Sequence, residues 1–242
     1  MKKIAFFGAC EKSDLLLVLG KLLAAADQKV LVVDATTTQG MYASLPVSCQ
    51  QPHTLLTEVE GLDVACGFFT FEQLEHYVKR ADGHLLSYDV MLIDTDHTEF
   101  VKGSELPLLH QRVLVTSFEK LCLLRNVRLL DQYFQTVKIG QPLDFHKVIY
   151  PFMEFGIREA YLDGYYSDYP IRWQDHVYRF PLDVGDVAVK LENQHHGRID
   201  ARRLSRAYAK TLLSLAGTLT GLDARTLTMS WKRVKRRGQH GI

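Results

Sequence analysis

Three short apolar runs, each ending on a glycine or a carboxylate, constrain this chain more than any other feature. Ile4-Ala5-Phe6-Phe7 stops at Gly8, Lys29-Val30-Leu31-Val32-Val33 stops at Asp34, and Tyr88-Asp89-Val90-Met91-Leu92-Ile93 stops at Asp94. None alternates polar with apolar residues, so each reads as a strand covered on both faces. A Leu- and Ala-rich stretch over 14–26 reads as a helix between the first two. Strands alternating with helices imply right-handed crossovers. The expected fold is therefore α/β, a mostly parallel twisted sheet with helices on both faces. In such sheets ligands gather outside the carboxyl ends of the strands. The residues just after Phe7, Val33 and Ile93 are the place to seek a site.

The rest of the chain continues the pattern. Further strands are expected over 62–67, 112–116, 145–150 and 177–180, and helices over 71–86, 119–137, 184–194 and 201–219. Leu204, Tyr208, Leu212, Leu215 and Leu219 form one apolar stripe, suited to packing on a sheet. No internal repeat or Pro/Gly/Ser-rich linker divides the 242 residues. One α/β domain over 1–220 and a basic tail over 221–242 are expected. Lys+Arg number 29 against Asp+Glu 28, which excludes polyanion binding through bulk charge.

Cys10, Cys49, Cys66 and Cys122 contain no CxxC pair and are read as free buried thiols. No apolar stretch is long enough to span a bilayer. The expected location is cytoplasmic, with room for peripheral contact at the inner face of the membrane. Trp231-Lys232-Arg233-Val234-Lys235-Arg236-Arg237 carries five basic residues in seven. Its plain reading is a solvated, mobile terminus; its functional readings are weak contact with anionic lipid or with DNA. Adjacent His195 and His196 do not face one site on a helix and are read as solvated. The aromatic stretch Tyr161, Tyr165, Tyr166, Tyr169 and Trp173 is either core at the sheet edge or a partner-binding patch.

The first strand runs into Gly8-Ala9-Cys10-Glu11-Lys12-Ser13 and then a helix. Strand, glycine, Lys-Ser and helix is the layout of a phosphate-binding loop. Backbone N–H groups and the helix N-terminus hold the anion, Lys12 adds a charge, and the Ser13 hydroxyl reaches Mg2+. Asp94, ending a nearby strand, would hold the same metal, and Asp34 would complete the cofactor site. The loop departs from the usual G-x-x-x-x-G-K-[ST]: only three residues separate Gly8 from Lys12, the second glycine is missing, and Glu11 stands before the lysine. A carboxylate there faces the polyphosphate. At about 4 Å and an effective dielectric near 20, two like unit charges repel by roughly 4 kcal/mol.

With these residues in hand, the chain resembles the MinD/ParA group of P-loop ATPases, the deviant-Walker branch. Residues 29–34 resemble the group's "KVLLIDAD" strand, and residues 88–95 resemble its "YDYVIIDT" Walker B strand. Residues 113–116 with 124–130 resemble the strand and "LR" helix that follow. Residues 191–199 and 204–208 resemble the C-terminal segment of pilus-assembly members, and the chain is similar above all to CpaE/TadZ- and BcsQ-like proteins. The resemblance implies ATP and Mg2+ as cofactors and a homodimer as the working form.

The departures from that pattern all fall in one place. The group's second loop lysine is missing, and Thr36 stands where a hydrolytic Asp is expected. Asp96 and His97 follow Asp94-Thr95 where a glycine is common, and Val148-Ile149-Tyr150-Pro151 offers no amide for adenine. Together they imply a degenerate site with hydrolysis weakened or lost. The expected function is a scaffold or spatial-positioning factor for a cell-envelope machine (pilus, secretion or polysaccharide synthesis), acting through dimerisation and a protein partner. The alternative is an active ATPase that dimerises on ATP and positions cargo on membrane or DNA.

Overall fold

The computed structural model describes residues 1–46, 55–80, 83–135 and 140–236. Its frame is one eight-stranded sheet. The strands are β1 (Lys2–Phe7), β2 (Val30–Ala35), β3 (Leu55–Val59), β4 (Leu62–Cys66), β5 (Val90–Thr95), β6 (Gln111–Thr116), β7 (Leu143–Phe152) and β8 (Ile171–Pro181). Their order is β3-β4-β2-β5-β1-β6-β7-β8. Every neighbouring pair is parallel except β3 with β4. The expected mostly parallel sheet is therefore present. β3, which the sequence reading left out, hairpins onto β4 through Glu60 and Gly61, both in left-handed backbone.

Among the described residues seven α-helices cover the sheet: α1 (Ser13–Ala24), α2 (Phe71–Arg80), α3 (Lys120–Gln135), α4 (Glu159–Tyr166), α5 (Val184–His196), α6 (Arg206–Thr220) and α7 (Ala224–Arg236). Successive strand residues point to opposite faces. Ile4 and Phe6 thus pack among α1, α5, α6 and α7, while Ala5 and Phe7 pack among α2, α3 and α4. β2 is buried along its whole length, which is why its sequence shows no alternation. At the sheet edge β8 alternates buried Tyr178 and Phe180 with exposed Arg179, so only its last part reads as a strand in sequence.

Two expectations are corrected here. The reading of four free cysteines fails at Cys10 and Cys122, which form a disulfide. Their 112-residue separation hid the pairing in sequence, but the fold brings the first loop and the start of α3 to a Cα–Cα distance of 5.7 Å. Cys66 is free and buried; Cys49 lies outside the described residues. The reading of 231–237 as a solvated, mobile terminus is corrected over 231–236, which belong to α7. Leu227, Trp231 and Val234 make an apolar stripe at spacings of four and three, and it is buried against the core that also holds α1 and α6. The basic residues Arg225, Lys232, Arg233 and Arg236 take the exposed face.

Of the helix expected over 71–86, the structure shows Phe71–Arg80, and residues 85–87 form a separate short turn. Among the aromatics, Tyr166 is buried and stacks edge-on with Trp173, which also meets Phe145, whereas Tyr161 remains 48% exposed. Most of this stretch is core at the sheet edge. No helix among the described residues is long and apolar enough to cross a membrane.

Candidate functional site

The carboxyl ends of β1, β2 and β5 lie side by side, with Phe6 beside Asp94 and Asp34 beside Asp94 in the sheet register. Above them opens a cavity of about 590 Å³. Gly8, Lys12, Ser13 and Asp94 line it, together with Glu11, Thr36, Thr37, Asp96 and, from α3, Arg125 and Arg128. Four of the five expected site residues therefore meet at one opening. Asp34 is fully buried behind it and does not line it.

The first loop is drawn tightly against β6 and α3. Gly8 sits at φ +134°, and a Cβ there would come 2.3 Å from the Val115 carbonyl oxygen, so only glycine fits. Asn126 is fully buried on α3. Its Oδ1 accepts the Ala9 N–H at 2.8 Å, and its Nδ2 donates to the Val115 carbonyl at 3.0 Å and to the Tyr166 hydroxyl at 3.3 Å. The disulfide fastens the next residue, Cys10, to the same helix. A lone asparagine in an apolar helix gives little signal in sequence, and Asn126 was not among the expected site residues.

Lys12 and Asp94 face each other 2.5 Å apart, each side chain only 1% exposed. Lys12 Nζ also donates to the Gly8 carbonyl at 2.6 Å. The lysine thus folds beneath its own loop rather than reaching into the cavity. Apart from this ion pair, neither carboxylate oxygen of Asp94 accepts a hydrogen bond. Burial pushes the Asp94 carboxyl up to about 7; Lys12 pulls against that shift and Asp34 adds to it.

Glu11 closes the mouth of α1. Its Oε1 accepts the Ser13 N–H at 2.9 Å, and its other oxygen pairs with Lys190 of α5. A carboxylate at a helix N-terminus sits where the macrodipole favours negative charge. Burial raises the Glu11 carboxyl, but Lys190's charge and the hydrogen bonds outweigh it and hold the group below the ordinary value. The carboxylate thus engages a backbone N–H at the start of α1.

Asp34 organises the loop after β2. Its Oδ1 accepts from Thr36 N–H and Thr36 Oγ1, at 3.1 and 2.6 Å, and its Oδ2 accepts from Met41 N–H at 2.8 Å. Burial raises its carboxyl, and those three bonds pull it back. Asp96 reaches across from β5 to hold Thr37 through both backbone N–H and hydroxyl, at 2.9 and 2.7 Å. Gly40 brings this loop against α1; a Cβ there would lie 2.7 Å from Ser13 Oγ.

These observations bear on whether a magnesium–triphosphate pair fits. Three anion donors of the loop, Ala9 N–H, Ser13 N–H and Lys12 Nζ, are each engaged by a protein acceptor. Of the two metal-side residues, Asp94 is paired with Lys12, and Ser13 is left to act alone. The arrangement as it stands does not fit that ligand.

No protein-family model matches the chain, and no curated protein matches it in sequence. Solved structures do. The MinC:MinD cell division complex of Aquifex aeolicus aligns with a TM-score of 0.60 at 13% identity, covering 92% of this chain and 97% of that one. A ParA family ATPase of Chlorobium tepidum aligns at 0.55 with 16% identity, covering 89% and 98%. A putative plasmid partition protein of Borrelia burgdorferi, bound to AMPPNP, aligns at 0.54 with 12% identity, covering 96% and 99%. The fold is that of the ParA/MinD P-loop NTPases.

Proposed function

We propose that this protein keeps the ParA/MinD architecture as a scaffold or positioning factor and does not hydrolyse ATP. The carrying observation is the Glu11 carboxylate on the Ser13 N–H, with Lys12 folded onto Asp94 and Gly8. A triphosphate arriving here has to displace one carboxylate and detach a buried lysine from another. Thr36 supports the same reading: its hydroxyl donates to Asp34 and cannot act as a carboxylate base.

The working form is a homodimer that holds a protein partner of a cell-envelope assembly. The resemblance of residues 191–199 and 204–208 to pilus-assembly members supports that assignment. Exposed apolar side chains after β8 and on α5, Leu182, Val184 and Leu191, supply a surface for contact. The exposed basic face of α7 adds weak attraction to anionic lipid or DNA.

Titration of purified protein with ATP and Mg2+, following heat and phosphate release, tests the reading. The expected result is no saturable binding up to roughly millimolar ATP, and appearance of binding in Glu11→Gly, at least about tenfold tighter than wild type. Micromolar binding with phosphate release that Lys12→Ala abolishes overturns it. That outcome favours the second reading, an active dimerising ATPase. The cavity of about 590 Å³ and its two α3 arginines argue for it, as does AMPPNP in the Borrelia neighbour.

A further inference from the structure

A second cavity, of about 280 Å³, lies on the other side of the Cys10–Glu11 stretch. The start of α1, the ends of β7 and β8, and α5 wall it. Five carboxylates line it, Glu11, Asp14, Glu119, Asp183 and Asp186, against a single ammonium, Lys190.

Three of the five are committed elsewhere. Asp183 caps α5 by accepting from Gly185 and Asp186 N–H. Asp186 holds Ser205 through its N–H and hydroxyl. Glu11 pairs with Lys190. Two other polar groups at the cavity have acceptor capacity to spare. Tyr208 is 2% exposed, and its hydroxyl has no hydrogen-bond partner. Asp14 accepts from the Tyr150 hydroxyl through Oδ2, and its buried Oδ1 is paired with the Lys190 ammonium 3.3 Å away. A buried hydroxyl left without any partner, as at Tyr208, points to a missing one.

We propose that this cavity binds a small organic cation carrying an ammonium or guanidinium head, seated between Asp14 Oδ1 and the Tyr208 hydroxyl. Each can accept one of the head's N–H donors, and a charge-assisted bond to the carboxylate is the stronger of the two. The surplus of carboxylates repels anions and leaves a neutral heterocycle poorly matched. The Tyr150 and Tyr208 rings and the Leu182, Val187 and Leu191 side chains suit an aliphatic stem. The volume sits just below the range of drug-sized pockets, which limits the occupant to a short chain. The inference does not depend on whether phosphate binds in the first cavity.

Calorimetric titration of the full chain with two probes tests it. Agmatine presents an ammonium and a guanidinium as a free metabolite would. N-acetyl-arginine methylamide presents the same head as the side chain of a protein would. Saturable binding of either is expected, and the tighter probe identifies the source. Asp14→Asn should weaken that binding by about tenfold or more, and Tyr208→Phe by about threefold or more. Tyr208→Phe keeps the ring and removes only the unpartnered hydroxyl, so it stays informative even if Asp14→Asn folds poorly. The proposal is overturned if neither probe binds at roughly millimolar concentration, if Tyr208→Phe binds as tightly as wild type, or if adenosine binds in their place.

Discussion

The two cavities share a wall and carry opposite characters. On one side of Cys10 and Glu11 the opening faces the exposed guanidinium groups of Arg125 and Arg128, with its buried lysine already matched by Asp94. On the other side, Lys190 is outnumbered by five carboxylates. A single charged residue contributes to both. Glu11 caps α1 with one oxygen, closing the anion seat, and faces Lys190 with the other. A glycine at that position would leave the first side open and the second less acidic. One substitution in a binding loop thus redistributes charge across two pockets without altering the sheet that supports them.

The largest break in this comparison should come from the buried pair. Lys12→Met leaves Asp94 buried without its partner and should cost about 3–5 kcal/mol in denaturant unfolding. Adding Asp94→Asn should recover a large part of that loss, because an uncompensated charge costs more than a missing pair. Additive losses would show that Lys12 does not stabilise Asp94.

Next is the fastening of the loop to α3. Asn126→Leu removes acceptor and donor at once, exposing Ala9 N–H and the Val115 carbonyl as unsatisfied groups. It should cost about 2–4 kcal/mol by the same measurement. An unchanged midpoint would mean that the disulfide alone holds the loop.

The pH dependence sharpens the first cavity further. The folded-state pKa of Asp94 is raised from 3.8 to about 7, chiefly by burial. Between those values the folded state binds more protons than the unfolded one, so this group's contribution to stability falls as pH rises and is flat above about 7. Unfolding at about pH 5 and about pH 8 should therefore show a pH-dependent loss in wild type that is smaller in Asp94→Asn. An identical slope in both would place the titration elsewhere.

The smallest expected effect is at the shared wall. Glu11 is 46% exposed, and Glu11→Gln should change stability by under about 1 kcal/mol, since solvent screens such a pair. It should nonetheless improve phosphate binding in the first cavity and weaken agmatine binding in the second. Effects of the same sign on both ligands would contradict the opposed character of the two sides.

Much of the architecture was legible from sequence because burial on both faces removes alternation. The runs at 4–7, 30–33 and 90–93 read as central strands, and they are β1, β2 and β5. β3 was not legible, because it lies at a sheet edge and borrows its pairing from β4 through a tight turn. α7 was misread because its five basic residues in seven masked the Leu227, Trp231 and Val234 stripe. At the site, the order of loop, Asp34 and Asp94 was readable from strand ends. What those residues touch was not readable: Asp34 turns inward on its own loop, and Lys12 pairs with a carboxylate 82 positions away in sequence.

The sequence alone set the strand order's raw material, the carboxylates at the strand tips and the misplaced Glu11, because each is written in local composition and spacing. Tertiary structure decided which charges face one another. Only folding brings Lys190 to Glu11, Asn126 to Ala9 and Cys122 to Cys10, since contacts between distant segments depend on how helices settle on the sheet rather than on any local pattern.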